Sequence, residues 1–330
     1  MAGSALIRLK VSALYLRNLF WPILLASIAF AYRPAETVLA SVVALATFLL
    51  YATFDAAEFS DGRPDETFSK TSWLFCTMRE YLQLTLHRTD EVQQKLIAVH
   101  PPTGQAIFSF FPHGVNSDFR VLMDGMMYDA FAKLYERAPA RTLAASVLFK
   151  IPFVRKVSLA TACVDAGRNT ADKVIRNGRS VLVCPGGQDE QLETIYGRER
   201  VFLRKRSGFI RLAIVHGLPV VPAYCFGSSD LYFTSRAAHA LRLWLVRTLR
   251  IAIPLYWGDW GFFYYPTPKG FPREVPQHVV FGDPLTFEQR DNPTKEEVAA
   301  AHDAFIKALV LLFDTHKARF GYAERSLEVL

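Results

Sequence analysis

Hydrophobic residues are most concentrated in two runs near the amino terminus. The first reads LFWPILLASIAFAY over residues 19–32, and the second reads TVLASVVALATFLLYATF over residues 37–54, with a short polar break between them. The second run carries no charge, and its length is about the minimum for one membrane span. The pattern predicts a transmembrane helical hairpin over residues 19–54, and the basic residues before it place residues 1–18 in the cytosol. A cleaved signal peptide and a buried soluble helix are the alternatives.

The next segment, residues 55–104, is more polar. Residues 55–70 are rich in acidic and polar side chains, which predicts a linker. Residues 73–87 are amphipathic, so this stretch is either a helix lying in the membrane interface or an ordinary helix of the following domain.

From Gln105 onward, short β-rich runs alternate with helical patterns, which predicts one layered α/β domain over residues 105–330 with helices covering a mixed sheet. The predicted strands are residues 106–111, 157–164, 180–185, 219–226 and 278–282. The predicted helices are residues 120–137, 170–177, 208–216 and 294–319. The last of these begins with a capping signal, Thr294 followed by Glu297.

One stretch of this domain, residues 236–265, combines several arginines with many leucine, tryptophan and tyrosine residues. Such a mixture suits a segment at a membrane interface, with rings at headgroup level. A helix with a solvated arginine face and a buried apolar face is the equal alternative.

Composition excludes several classes of protein. Hydrophobic residues make up 51% of the 330 residues and mean hydropathy is +0.14, which excludes a disordered chain and favours contact with lipid. The net charge of +7 suits an anionic co-substrate or membrane surface better than nucleic acid. The four cysteines show no paired spacing, so we expect reduced thiols and no zinc or other metal site.

A histidine follows the first predicted strand of the domain. The strand at 106–111 leads into Pro112, His113 and Gly114, at the end of a strand where α/β proteins place their sites. Asp118 comes five positions after His113, so a turn can bring its carboxylate to the imidazole and raise the basicity of the ring. A turn with a structural capping aspartate is the alternative.

A second cluster follows the strand at 180–185. Gly186 and Gly187 allow the backbone to approach a ligand closely, and Glu190 lies at the mouth of the same strand. A glycine turn capped by acidic residues is the alternative. The sequence contains neither a G-x-S-x-G elbow nor a P-loop, which argues against a serine hydrolase and a P-loop nucleotidase.

A basic loop precedes the helix predicted to begin at Gly208. Its members are Arg198, Arg200, Arg204, Lys205 and Arg206. Arginines before a helix amino terminus form a favourable phosphate site, whereas a solvated surface and contact with anionic headgroups are the alternatives.

Taken in order, these motifs resemble the type-2 diacylglycerol acyltransferase family, which includes monoacylglycerol and wax-alcohol acyltransferases. The matching segments are FPHG (111–114), PGGQDE (185–190), RKRSGFIRLAIVHGLPVVPAYCFG (204–227), VVFGDPL (279–285) and AFIKALVLLFDTHKARFG (304–321). The resemblance covers nearly all of residues 106–330, and the predicted hairpin is in keeping with it.

The resemblance implies a multi-pass enzyme of the endoplasmic reticulum membrane and lipid droplets, with its catalytic domain in the cytosol. It implies acyl transfer from acyl-CoA, as co-substrate rather than cofactor, to diacylglycerol or a related neutral lipid, giving triacylglycerol. Membrane lipid is a further partner, nucleic acid is not, and assembly into a homo-oligomer is left open. Acylation of monoacylglycerol or of a wax alcohol is the enzymatic alternative, and a membrane-anchored lipid-binding or transfer protein is the non-enzymatic one.

The resemblance also implies roles for individual residues. His113 is the general base, and Phe111 occupies the position of the family's first motif histidine. Glu190 corresponds to the glutamate of the family's Gly-Gly-x-x-Glu element, and Asp118 matches the aspartate of the related glycerolipid acyltransferases. The residues expected to contact substrate are Pro112, Gly114, Arg168, Gly186, Gly187, Arg204, Arg206, Gly208 and Phe209.

Overall fold

The description of the fold rests on a computed structural model. It describes residues 56–99, 103–150, 152–249, 252–259, 261–262 and 272–330, together with Val42 and Ala46. The predicted hairpin over residues 19–54 therefore lies outside the described residues, apart from Val42 and Ala46, as does the predicted cytosolic segment 1–18. Within the described ranges, no helix is both long enough and apolar enough to cross a membrane.

Helices and strands alternate through the described part of the chain. The helices are α1 (Glu66–Thr71), α2 (Trp73–Tyr81), α3 (Thr89–Val99), α4 (Asp118–Ala130), α5 (Ala132–Tyr135), α6 (Pro152–Ala160), α7 (Arg168–Arg176), α8 (Gly187–Glu193), α9 (Gly208–His216), α10 (His239–Leu249) and α11 (Lys295–His316). The strands are β1 (Thr85–His87), β2 (Ile107–Phe111), β3 (Ala140–Ala144), β4 (Cys163–Asp165), β5 (Ser180–Val183), β6 (Arg200–Val201), β7 (Val220–Phe226), β8 (Phe233–Ser235), β9 (Leu255–Gly258), β10 (Gly261–Phe262), β11 (His278–Phe281) and β12 (Glu328–Val329).

The central element is a mixed seven-stranded sheet in the order β1-β11-β7-β2-β5-β3-β4. The strands from β7 to β4 run parallel to one another, and β11 pairs antiparallel to β7. Two smaller sheets, β10-β9-β8 and β12-β6, lie outside this one. The predicted mixed sheet is thus confirmed, and β2 and β5 lie side by side at its centre with their carboxyl ends at one edge.

Each face of the sheet supports its own core. Successive side chains of a strand point to opposite faces, so Phe108 and Phe110 pack on one side while Ile107 and Phe111 pack on the other. The first core is completed by helices from the amino-terminal half, such as α4, and the second by α7, α9 and α11. Helices on both faces make a three-layer α/β architecture.

Four of the five predicted strands are confirmed with small shifts at their ends, since β2, β5, β7 and β11 lie within the predicted ranges. The exception is the apolar run 157–164, whose first half belongs to α6 and whose last two residues begin β4. Pro152 is the first residue of α6, a position that proline favours, and a short apolar run does not by itself separate a helix from a strand. The capping box of Thr294 and Glu297 at the start of α11 is confirmed.

The polar segment predicted as a linker differs from that prediction. Ala56–Phe59 forms a short 3₁₀ helix, and Glu58 makes a buried ion pair with Arg155 at 2.6 Å. Asp61 accepts from Arg141 and Arg179, at 3.0 and 2.9 Å. Acidic residues that look like a solvated linker in the sequence are here the partners of basic residues far along the chain.

The structure distinguishes between the alternatives for the two amphipathic stretches. In residues 73–87, Phe75, Met78 and Tyr81 are buried in the first core, which makes α2 an ordinary helix of the domain. In residues 236–265, Leu241 and Trp244 are 58% and 56% exposed. The alternative with a solvated arginine face fails at Arg242, which is buried and donates to the carbonyls of 235 and 237.

The ion pair of Glu58 tests whether residues 56–62 fold cooperatively with the rest of the domain. Glu58→Ala should lower the free energy of unfolding by about 3–5 kcal/mol, because it leaves the Arg155 guanidinium buried without its carboxylate. Glu66→Ala, which removes a half-exposed carboxylate from a pair with Lys70, should cost at most about 1 kcal/mol. Denaturant unfolding of the full chain in detergent measures both. Equal values for the two variants would mean that residues 56–62 do not fold with the domain.

Candidate active site

A cavity of about 1650 Å³ opens at the carboxyl edge of the central sheet. The loop after β2 brings His113 and Asp118 to its wall, and the loop after β5 brings Cys184 and Gly187. Most of the remaining wall is apolar, with side chains from α2, α4, α6 and α9. The cavity therefore joins a titratable histidine to a large apolar volume, as a lipid-binding site requires.

The imidazole of His113 is oriented by its neighbour in the chain. Its Nδ1 lies 3.1 Å from the carbonyl oxygen of Gly114, so the proton resides on Nδ1 and the lone pair of Nε2 is free to accept. Burial lowers the pKa of His113, and the positive charge of Arg120 lowers it further. The ring is consequently neutral at pH 7 and available as a base.

Glu190 is 1% exposed and holds the histidine loop by its main chain. One carboxylate oxygen accepts from the backbone N–H of His113 and, at 3.4 Å, from that of Gly114. The other accepts from the N–H of Phe202 at 2.8 Å. Burial raises the pKa of Glu190 to about 7, although these three donors favour the carboxylate. Glu190 thus acts on the loop that carries the histidine through its main-chain N–H groups rather than through the imidazole.

Gly186 is required by the same carboxylate. A Cβ at this position would lie 2.5 Å from the carboxyl carbon of Glu190 and 2.7 Å from its Cβ. Any other residue would displace the glutamate, so glycine is needed here because it has no side chain and not because of its backbone freedom. Gly187 is different, because its φ is +53° and no atom lies within 4 Å of the place where a Cβ would stand.

Asp118 lies on the same cavity as His113. Burial raises the pKa of Asp118 to about 6, and the Tyr232 hydroxyl opposes this shift to a smaller extent. Nδ1 of His113 is held by Gly114 instead. The structure brings His113 and Asp118 to one cavity, and the orienting role of Asp118 stays a prediction.

The predicted basic loop divides between two places. Arg204 donates to the carbonyl oxygen of Val329 at 3.0 Å and is outside the cavity lining, and Arg200 pairs with Glu328 at 2.9 Å. Lys205 and Arg206 do line the cavity, and Arg206 is paired with Asp189. The carboxyl-terminal segment thus binds Arg200 and Arg204, whereas Lys205 and Arg206 remain at the cavity.

Other predicted substrate residues surround the cavity at different depths. Arg168 is exposed at the first position of α7 and lines the cavity, as do Gly208 and Phe209 at the start of α9. Pro112 and Gly114 are buried beside His113 and lie behind the wall rather than in it.

Sequence reasoning missed two members of this site. Arg120 is buried and lines the cavity, and the signal was a single basic residue within the apolar run of α4. Lys156, exposed on α6 at the cavity, directly precedes the run 157–164 that was predicted as a strand, so its place on a helix was not expected.

Comparisons with known proteins all point to one family of acyltransferases. A sequence model of the family described as diacylglycerol acyltransferase matches residues 35–330. The chain is 32% identical over 269 residues to diacylglycerol O-acyltransferase 1 of Eremothecium gossypii, in an alignment covering 78% of this chain and 56% of that protein. It is 29% identical over 271 residues to human acyl-CoA wax alcohol acyltransferase 2, covering 77% of this chain and 79% of that protein.

One more protein sequence and one solved structure are similar to the chain. The chain is 26% identical over 280 residues to human 2-acylglycerol O-acyltransferase 3, covering 82% of this chain and 79% of that protein. Among solved structures, a 1-acyl-sn-glycerophosphate acyltransferase from Thermotoga maritima aligns with a TM-score of 0.43 at 15% identity, over 94% of each chain.

The burial of Glu190 predicts a pH dependence of stability. The folded-state pKa of about 7 lies above the ordinary value of 4.5, so between these values the folded protein binds more protons than the unfolded chain. The contribution of Glu190 is therefore greatest below pH 4.5 and falls by about 3 kcal/mol as pH rises through 7. Glu190→Gln lacks this titration.

Denaturant unfolding of the wild type and of Glu190→Gln from pH 4 to pH 8 measures the difference. Other carboxyl groups titrate equally in both proteins and cancel. We expect the stability of the wild type relative to the variant to fall across this range, and a constant difference would contradict the raised pKa of Glu190.

Proposed function

The chain belongs to the diacylglycerol acyltransferase family, and on that premise we propose that it transfers a fatty acyl group from acyl-CoA to the free hydroxyl of diacylglycerol. The observation that carries the proposal is the neutral imidazole of His113, with Nδ1 on the Gly114 carbonyl, at the wall of a large apolar cavity. A general base beside a volume for hydrocarbon chains is what acylation of a lipid alcohol needs.

The reaction begins with the acceptor hydroxyl at Nε2 of His113. The ring takes the hydroxyl proton as the oxygen attacks the thioester carbonyl, and the resulting imidazolium keeps its Nδ1 hydrogen bond to Gly114. The tetrahedral intermediate then collapses, the carbon–sulfur bond breaks, and an ester forms. The imidazolium returns its proton to the leaving CoA thiolate, so His113 ends the cycle neutral.

Gly187 is our candidate for stabilising the oxyanion. It is the first residue of α8, where main-chain N–H groups have no acceptor within the helix. Gly187 lines the cavity with open space in front of it, whereas the N–H of Gly114 is already shared with Glu190. A preorganised main-chain donor at the developing negative charge is the usual means of lowering such a barrier.

The charged rim of the cavity supports a site for the phosphates of CoA. Lys156, Arg168 and Lys205 are exposed residues of its lining, each on a different segment of the chain. Arg168 also lies at the amino terminus of α7, where the helix dipole favours an anion. Phosphates at this rim would leave the acyl chain to enter the apolar interior.

The acceptor is the less determined part of the proposal. The relatives include proteins named for diacylglycerol, 2-acylglycerol and wax alcohol, and the cavity volume accommodates any of these chains. Acylation of a monoacylglycerol or a long-chain alcohol is therefore the second candidate, and an acceptor panel separates them.

We also propose that the domain works at the cytosolic face of the endoplasmic reticulum membrane and at lipid droplets, where these substrates are found. Trp73 is exposed and is the chain neighbour of Ser72, which lines the cavity. Val147 is exposed and lines the cavity itself. Exposed Leu241 and Trp244 on α10 add a second apolar patch. Such rings and aliphatic side chains suit contact with a lipid surface.

The activity is tested with one labelled acyl-CoA and a panel of diacylglycerol, monoacylglycerol and long-chain alcohol in mixed micelles, with products separated by thin-layer chromatography. We expect triacylglycerol as the main product. His113→Ala should reduce its formation at least about 10²-fold, because the general base is lost. His216→Ala is the matched control and should stay active, because His216 is outside the cavity lining and only its partner Asp172 belongs to the lining.

If His113→Ala forms the ester at more than about a tenth of the wild-type rate, His113 is not the base. No ester product from any acceptor would favour the non-enzymatic alternative, a lipid-binding or transfer protein.

The CoA site is tested by the apparent KM for acyl-CoA. Arg168→Ala and Lys205→Ala should each raise it about 5- to 20-fold with little change in the KM for diacylglycerol, since each removes a charge from the phosphates. Arg204→Ala tests the remainder of the basic loop, and we expect a smaller effect because Arg204 is bound to Val329. Equal increases for both substrates would indicate that these residues hold the membrane surface instead.

A further inference from the structure

Arg120 is a buried cation in the wall of the cavity. It lies at the third position of α4, two residues after Asp118, and is 6% exposed. It nevertheless belongs to the lining of the cavity, together with Cys184 and Thr161. Its charge adds to burial in lowering the pKa of His113, which places the two side chains near each other.

The partners of Arg120 are weak acceptors. One guanidinium nitrogen donates to the sulfur of Cys163 at 3.1 Å and another to the Thr161 hydroxyl at 3.4 Å. Within the described residues, no carboxylate lies within 4.0 Å of the guanidinium. Asp124, one helical turn further, contributes an attractive charge at longer range but accepts from Ser69 Oγ at 2.8 Å.

This arrangement leaves hydrogen-bonding capacity unused. A guanidinium has five N–H donors, and burying its charge is costly unless strong acceptors satisfy them. Arg141 and Arg155, two other buried arginines, each meet a carboxylate at 3.0 and 2.6 Å. Arg120 differs from both in facing a ligand cavity and in lacking such a close partner, so the missing acceptor is expected on the ligand.

We propose that Arg120 binds an ester carbonyl oxygen of the acylglycerol acceptor and thereby makes the enzyme select esters of glycerol over acceptors that lack a carbonyl group. The inference rests on the proposed function, because it assigns the residue that recognises the acceptor. In a diacylglycerol the ester carbonyls lie a few bonds from the free hydroxyl. Arg120 and His113 therefore hold two ends of the same glycerol group, one binding the carbonyl and the other the hydroxyl.

An ester carbonyl fits this position better than a phosphate. Arg120 is 6% exposed and has the Cys163 sulfur and the Thr161 hydroxyl as its hydrogen-bond acceptors, and a multiply charged phosphate would have to lose its hydration there. The exposed cations Lys156, Arg168 and Lys205 offer phosphates a wetter position at the rim. A neutral oxygen keeps its favourable interaction with the guanidinium at a far smaller desolvation cost.

The test uses two acceptors that differ only in the carbonyl groups. A 1,2-diacylglycerol and the 1,2-dialkylglycerol with ether-linked chains of equal length share the same free hydroxyl. Both are presented in identical mixed micelles with one acyl-CoA. The wild type should prefer the diester by about tenfold or more in kcat/KM, the amount expected of a hydrogen bond to a charged group.

Arg120→Met removes the charge and the donors while keeping an unbranched side chain. It should reduce the preference to near unity, mainly through a higher KM for the diester, while the ether acceptor changes little. Arg120→Lys keeps a charge without the planar fork and should retain a part of the preference. Arg141→Met removes a buried arginine outside this cavity. It should keep the wild-type preference even if it is less stable, because the preference is a ratio of two kcat/KM values.

Several outcomes would overturn the inference while leaving acyl transfer established. They are equal use of the two acceptors by the wild type, an unchanged preference in Arg120→Met, and an equal loss on both acceptors, which would assign Arg120 to the common intermediate. If thermal unfolding shows that Arg120→Met does not fold, Arg120→Lys decides, and full preference in that variant counts against the inference. Absence of transfer to either acceptor by the wild type would reject the proposed function and this inference together.

Discussion

The site depends on one buried carboxylate that joins two loops from different parts of the chain. Glu190 accepts main-chain hydrogen bonds from His113 and Gly114 after β2, and from Phe202 after β6. Because each bond is to backbone, the carboxylate sets the path of the loop rather than the chemistry of one side chain. The cost of burying it appears as a pKa raised to about 7, and Gly186 supplies the space it occupies.

The placement of charge follows the division of the cavity between an apolar interior and a wet rim. Cations at the rim, such as Arg168 and Lys205, are exposed and cost little to keep charged. Arg120, inside, bears a charge that no carboxylate of the described residues meets within 4.0 Å, and its hydrogen bonds go to Cys163 and Thr161. Under the proposed function, this division lets a single cavity hold phosphates at one end and neutral lipid at the other, with His113 between acyl donor and acceptor.

The sequence predicts the layered α/β fold and four central strands because buried strands leave a continuous apolar signal, as in β7. It also places His113 and Glu190 at strand ends. It cannot predict which partner each polar side chain takes, since Arg204 meets Val329 and Glu58 meets Arg155 across long sequence separations. Those pairings account for the two main differences. Arg204 turns away from the cavity although Lys205 and Arg206 line it, and the predicted linker packs against the domain through Glu58.

The orientation of His113 by a carbonyl rather than a carboxylate has a consequence for the chemistry. A carboxylate on Nδ1 would raise the pKa of the imidazole. Here burial and the charge of Arg120 outweigh the opposing effect of the Gly114 carbonyl, and the pKa lies below its ordinary value. As the proposed base, His113 is thus mainly neutral at neutral pH but not strong. That is adequate for acyl transfer from a thioester, because the thiolate is a good leaving group and the proton moves only as the hydroxyl oxygen bonds to carbon. What the reaction then requires of the fold is position, and the carboxylate of Glu190 provides it through the backbone of the histidine loop.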